Sequence, residues 1–325
     1  MTVLNYLKRF LNSDTVQDVK DQLFNIHLPA RNRSDVIILS TPRSGSTWLA
    51  EIINTQPGFK YCGEPLNLRN PRVRDRLSIK EWGHLYKPSA RHQISDYLNA
   101  ISSGSMKFKN ATPFSSDHYR FLTSRVVFKI LHGAEHFVSH LHDKVCDQII
   151  FLTRHPVPTT LSRNVYPRLP TLLNSAFRKH YDRDQIRKAK RICQTGTPFE
   201  KGILSWCLQN ALILKNPERV TLVTYEQLVL SPDPIFERFE STLDLPLRNR
   251  MEQRLDTPSG STSKSNPETQ EAIVNERQSR KWLVEKWKND VSKQQKEQAK
   301  SILDLFRIEL YDPFETVPNE EVWIG

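Results

Sequence analysis

Val36-Ile37-Ile38-Leu39 is an uninterrupted apolar run, and Ser40-Thr41-Pro42-Arg43-Ser44-Gly45-Ser46-Thr47-Trp48-Leu49 follows it directly. An apolar run without polar alternation reads as a strand covered on both faces, the habit of parallel sheets. The spacing from Thr47 to Asn54 predicts a helix. Strand, short Ser/Gly/Thr loop and helix start, in that order, commit the chain to a βα unit. The unpaired N–H groups of the helix then open at the strand's carboxyl end, where the helix dipole favours an anion. Gly45 permits close backbone approach, Ser46 and Thr47 add hydroxyl donors, and Arg43 supplies a fixed positive charge. Such a loop suits a phosphate. A tight polar turn with no ligand is the plainer alternative.

Three more runs, Val126–Leu131, Ile149–Leu152 and Val220–Val223, are nearly continuous in apolar residues, and helices are expected around Leu204–Leu214, Pro234–Leu243 and Ser292–Leu310. Short buried strands alternating with helices define an α/β chain with a parallel sheet. No fixed repeat or low-complexity linker divides it, so residues 1–325 read as one domain with insertions. Residues 66–120 are rich in Arg, Pro and Ser with weak periodicity, and 256–270 read as a polar loop. Residues 1–33 form an N-terminal extension in which Leu4, Leu7, Phe10 and Leu11 fall at helical spacing. That stripe suits packing on the protein's own body, with an interfacial membrane helix as the alternative.

Composition narrows the partners. The 325 residues carry 47 Lys+Arg against 36 Asp+Glu, a formal charge of +11, which points to an anionic partner. Fifteen Phe, nine Tyr and six Trp exclude disorder throughout. Cys62, Cys146, Cys193 and Cys207 are widely separated, so neither a disulfide framework nor a zinc knuckle is suggested, and a reducing, cytoplasmic location is expected. No apolar run near the N-terminus is long enough for a signal peptide or a membrane span. The segment Arg178–Arg191 holds seven Lys/Arg against Asp182 and Asp184, either a solvated helix face or an electrostatic lip over an anion.

The loop is not a Walker A motif. G-x-x-x-x-G-K-[ST] needs Lys after its second Gly, where this chain has Ser46, and a first Gly where it has Ser40. A nucleotide with a single 5′-phosphate bearing a non-phosphoryl group fits better than a magnesium triphosphate. Pro42-Arg43-Ser44-Gly45-Ser46-Thr47-Trp48-Leu49 resembles the 5′-phosphosulfate loop of sulfotransferases that use 3′-phosphoadenosine 5′-phosphosulfate (PAPS) and release PAP. With Arg in place of Lys it is similar to the carbohydrate and tyrosylprotein branches. Ile149–Pro156, running on to Leu161-Ser162-Arg163, resembles the family's 3′-phosphate site, with Arg154 and Ser162 as its binding residues. Independently, Arg154 follows a predicted parallel strand, where ligands of open α/β sheets bind and a guanidinium grips a phosphate bidentately.

Thr224–Val229 with Pro232, Phe236 and Leu243–Pro246 resembles a further family segment whose Tyr lies near the nucleotide. Tyr225 takes that place, or it is a core aromatic. Ser263 and Lys264 are similar to a pair that closes over PAPS. The resemblance covers roughly residues 36–310 and implies a P-loop-like three-layer fold, with Arg43, Ser44, Gly45, Ser46, Thr47, Trp48, Arg154, Ser162, Tyr225, Ser263 and Lys264 binding PAPS. Segments 66–120 and 165–200 match nothing in the family and are expected to shape the acceptor site.

Sulfuryl transfer needs a base for the acceptor hydroxyl and cations for the transferring group. Gln56–Pro65 reads as a strand ending in Glu64 on the same sheet edge as the loop, which makes Glu64 the candidate base; a surface Glu is the alternative. Lys129 stands alone in an apolar run and is costly to bury without an anion. In related enzymes a Lys on a comparable strand stabilises the transferring group, so Lys129 joins Arg43 as a catalytic candidate; an edge-strand Lys facing solvent is the alternative. His132, His136 and His140 share helical spacing, but a solvated helix face explains them better than a metal, and no metal is expected. The expected activity is a PAPS-dependent O-sulfotransferase acting on a small-molecule or carbohydrate hydroxyl. A P-loop kinase or NTPase competes from the same loop. A nucleic-acid-binding protein competes on charge, although no groove-reading motif supports it.

Overall fold

The structure is a computed structural model that describes residues 25–30, 34–112, 116–163, 168–260 and 280–319. The expected helix near the N-terminus, and Ser263 and Lys264, lie outside the described residues. Strands β1 (Ile26–His27) and β4 (Leu122–Thr123) form a two-stranded parallel pair. Strands β2 (Val36–Ser40), β3 (Phe59–Gly63), β5 (Arg125–Ile130), β6 (Ile149–Thr153) and β7 (Thr221–Thr224) form one parallel sheet in the order β3-β5-β2-β6-β7. Every pairing in it is parallel, so all five carboxyl ends point to one edge. The chain enters at the centre, on β2, and later strands add on both sides of it. Ligands of open α/β sheets bind at such a reversal.

Alternation along the strands feeds two cores. Ile37, Leu39, Phe128 and Ile130 face one side, while Val36, Ile38, Val127 and Ile150 face the other. Helix α1 (Ser46–Ile53) covers the second face, and α2 (Pro71–Leu77) and α3 (Ala90–Ser102) contribute to the first. Burial on both faces is why the strands carry unbroken apolar runs. A third cluster joins Trp206 and Leu208 to Leu303 and Phe306, beside the sheet.

Two features differ from the sequence pattern. Residues 66–120 carry more periodic structure than the sequence shows: Ile94, Tyr97, Leu98 and Ile101 recur at helical spacing along α3 and are buried in the first core. The helical spacing of His132, His136 and His140 does not make one helix. Gly133 adopts φ 85°, in the left-handed region, and α4 (Val138–Lys144) begins only after His136. His136 instead packs beside Tyr86, Phe137 and His180. The basic segment has a plain arrangement. It runs through α5 (Arg183–Thr195), and Arg183, Arg187, Lys188 and Arg191 are exposed, with Asp184 pairing to Arg187 and Lys188.

Candidate active site

Four of the candidate residues sit immediately past a strand or within the loop leaving one. Glu64 follows β3, Arg154 follows β6, Tyr225 follows β7, and Arg43 lies in the loop after β2. Parallel pairing brings these ends together, and a cavity of about 290 Å³ opens among them, lined by Arg43, Gly45, Thr47, Glu64, Lys129 and Arg154 and flanked by Trp48 and Tyr225.

The loop holds its N–H groups open through its backbone. Arg43 and Gly45 both adopt left-handed conformations, φ 74° and 91°, and Gly45 caps α1 without any side-chain hydrogen bond. The helix start is therefore unsatisfied by its own cap. A side chain at Gly45 has no room, because a Cβ there would stand 2.7 Å from Tyr225 Cδ2. Ser44 differs from its neighbours. It is fully buried, and its hydroxyl contacts Ser40 Oγ and the Thr41 carbonyl. It braces the loop from beneath rather than offering a hydroxyl to the cavity.

Lys129 and Glu64 face each other across the strand ends. Lys129 lies in β5, an interior strand, and is only 6% exposed, which removes the solvent-facing edge alternative. Its Nζ donates to Glu64 Oε1 at 3.1 Å and to Thr47 Oγ1 at 3.2 Å. Glu64 Oε2 accepts from Asn67 Nδ2 at 2.9 Å, and the Glu64 N–H donates to the Lys129 carbonyl at 2.9 Å. Glu64 itself has φ 56°, a strained value for a residue with a Cβ, of the kind that gathers at functional sites. This turn at the end of β3 keeps the carboxylate over the sheet edge. Buried lysine, carboxylate and hydroxyl thus form one contact chain from α1 to β3.

On the opposite side, the Arg154 guanidinium stacks over the Tyr225 ring at 4.3 Å and donates to the Arg43 carbonyl at 3.2 Å. Its Nε is buried without a hydrogen-bond partner among the described residues. A buried cationic donor left unsatisfied is costly, and an anion would complete it. Burial pushes the Tyr225 phenol up, with Arg154 opposing, so the ring stays neutral. Trp48 leans against Tyr225 at 6.0 Å. Behind them His155 is fully buried, accepts from the Val157 N–H at 3.2 Å and stacks on Trp287 at 4.6 Å. Ser162 is exposed past the helix that follows β6, and its hydroxyl donates to the Thr159 carbonyl at 2.9 Å. It is not brought to the cavity wall.

Two parts of the site carry no signal readable in the sequence. Thr257, Pro258 and Ser259 line the cavity's rim, and that rim is fastened to α1. Arg254 pairs with Glu51 and also donates to the Thr257 carbonyl, while Gly260 N donates to Glu51 Oε1 at 3.2 Å. Beyond Glu64, the Arg168 guanidinium lies 3.4 Å over the Trp82 ring, with one terminal nitrogen buried and without a partner among the described residues. Burial pushes Arg168 down to about 9; Tyr86 and Glu64 oppose that shift and Arg69 adds to it. Eighty-odd residues separate Trp82 from Arg168, so neither announces the other in the sequence.

These features define an α/β protein whose parallel-sheet edge holds an anion loop beside a lysine–carboxylate pair. The sulfotransferase domain family matches residues 33–312, and the chain belongs to that family. Sulfuryl transfer is accordingly its class of reaction. The chain is similar to the sulfotransferase domain of the Synechococcus PCC 7002 olefin synthase, at 14% identity over 88% of this chain and 100% of that one, TM-score 0.44. It is similar to the sulfotransferase domain of the curacin biosynthetic pathway, at 17% identity over 87% and 100%, TM-score 0.45. It is also similar to mouse sulfotransferase SULT7A1, solved with PAP, at 18% identity over 90% of each chain, TM-score 0.45. No curated protein matches the sequence.

Proposed function

We propose that this chain transfers the sulfuryl group of PAPS to an acceptor hydroxyl, with Glu64 as general base. The reading rests on one observation: the open loop, Lys129, Glu64 and the unsatisfied Arg154 donor border a single cavity. PAPS is a co-substrate that supplies an activated sulfuryl group. The N–H groups and hydroxyls of Ser46 and Thr47, with Arg43, would hold its 5′ end, while Arg154 would hold the 3′-phosphate. In the transfer step the acceptor oxygen forms a bond to sulfur as the bridging S–O bond breaks. The hydroxyl proton passes to Glu64, and the bond electrons leave on the nucleotide. Lys129 has three N–H donors; Glu64 and Thr47 occupy two, and the third is available to the oxygens where charge grows.

A magnesium-triphosphate kinase reading has less support, since Ser46 stands where that chemistry requires Lys. The acceptor is read as a small-molecule or carbohydrate hydroxyl, with the segments 66–120 and 165–200 on its side of Glu64. The four cysteines are all free thiols, which favours a reducing, cytoplasmic setting. Among the described residues no helix is long and apolar enough to cross a membrane. The test is transfer of labelled sulfate from PAPS to a panel of hydroxyl acceptors. Transfer by the wild type and its loss in Glu64→Gln supports the reading; undiminished turnover in that variant removes Glu64 as the base.

A further inference from the structure

A second cavity, of about 340 Å³, lies at the carboxyl end of β3 and is lined by Gly63, Asn70, Arg72, Arg76, Tyr97 and Lys109 among others. Its position ties it to the first. Gly63 lines this cavity and the next residue, Glu64, lines the first, so the end of β3 is a wall common to both. Among the described residues strand β3 is the sheet's edge and pairs only with β5. Its outer side is closed by the 110–112 segment, through Ala111 N donating to the Tyr61 carbonyl at 2.8 Å and Tyr61 N donating to Asn110 Oδ1 at 3.3 Å.

The lining is chemically one-sided. Arg72, Arg76 and Lys109 contribute positive charge, and among the described residues no Asp or Glu contributes to the wall. Arg72 and Arg76 stand one turn apart on α2, on the same face, and Arg76 is steadied by donating to the Lys107 carbonyl. Tyr97 is 3% exposed, and its hydroxyl is buried with no hydrogen-bond partner among the described residues. A buried hydroxyl without a partner is unfavourable. An oxyanion relieves it by accepting from the phenol, and the basic lining favours its charge.

We propose that this second cavity binds an oxyanion, namely the sulfate, carboxylate or phosphate group of an acceptor whose hydroxyl reaches Glu64. The acceptor half rests on the function proposed above; the oxyanion half stands on the cavity alone. It makes the preferred acceptor an anionic hydroxyl compound rather than a neutral one.

The test is calorimetry on the full chain saturated with PAP, titrated with inorganic sulfate, glucose 6-sulfate and glucose. Lys109→Glu reverses an exposed charge on the wall, and Tyr97→Phe removes only the orphan hydroxyl. The wild type is expected to take up inorganic sulfate, with affinity weakened at least tenfold in Lys109→Glu and several-fold in Tyr97→Phe, while PAP affinity stays within twofold. Glucose 6-sulfate binding at least as tightly as sulfate, with glucose failing to bind, supports the anionic acceptor. Sulfate binding that glucose 6-sulfate does not share overturns the acceptor assignment. Sulfate uptake that is absent, or unaffected by both variants, overturns the oxyanion site even with PAP binding intact. Absent PAP binding with a Lys109-dependent sulfate response supports the oxyanion site and overturns the donor reading instead.

Discussion

The two sides of Glu64 are built by different means. On the side proposed to take the donor the groups are main-chain N–H donors and a stacked Arg154, set by the left-handed backbone at Arg43 and Gly45 and by the parallel sheet beneath. Beyond Glu64, outside the lining of the active-site cavity, the groups proposed to meet the acceptor are side chains from separate segments: Asn67 from a turn, Trp82 from a 3-10 turn and Arg168 from the approach to another helix. A main-chain wall has little freedom to change, since a single Cβ at Gly45 collides with Tyr225. A side-chain wall changes with any substitution. The contrast predicts that donor chemistry is fixed by the fold while acceptor choice is fixed by a few replaceable residues.

The sharpest way to break that contrast is at the residue between the walls. Glu64→Gln keeps the shape and an acceptor oxygen for Lys129 but cannot take a proton. Turnover should fall about 10²–10⁴-fold, the usual contribution of a general base, with PAP affinity unchanged; steady-state rates and calorimetry read the two separately. Next comes the donor wall. Gly45→Ala forces a Cβ into Tyr225 at a left-handed φ, and PAP affinity should fall on the order of tenfold or more. Unchanged affinity would show that the loop backbone does not bind the donor.

The footing of the donor wall gives a third prediction. Burial pushes His155, the residue after Arg154, down to about 3, so its imidazole stays neutral in the fold while an unfolded chain would protonate near 6.5. For a base with a depressed folded value the stability is complete above pH 6.5 and is lost as pH falls toward 3. The folding equilibrium should weaken by about tenfold per pH unit through that window from this group alone. A His155 ring that titrates by NMR above pH 5 in the folded protein would contradict it. The smallest effect is expected on the acceptor side. Arg168→Ala should raise the acceptor KM several-fold, with PAP affinity and the stability of the sheet unaltered, read from steady-state kinetics and thermal melts.

The same division explains how much could be read from the sequence. Strand ends are visible there, because a continuous apolar run stops at an identifiable residue. Arg43, Glu64, Arg154 and Tyr225 lie at such ends, and Lys129 is conspicuous as the one charge between Val126 and Leu131. Their convergence then follows from parallel pairing. Tertiary pairs have no comparable mark. Arg254 with Glu51 and Arg168 with Trp82 join residues far apart in the chain, and each side chain alone resembles any surface residue. The apolar spacing of α3 is diluted by Arg, Ser and Pro around it, which hides a core helix from its periodicity. The histidines show the reverse: their spacing suits a helix that Gly133 interrupts.

The sheet edge is proposed to hold a 3′-phosphorylated adenine nucleotide between the open loop and Arg154. Titration calorimetry of the full chain with PAP, ATP and GTP tests it most directly. PAP should bind at least tenfold more tightly than either triphosphate, and Arg154→Ala should erase that preference. ATP binding as tightly as PAP, or a preference indifferent to Arg154, would contradict it.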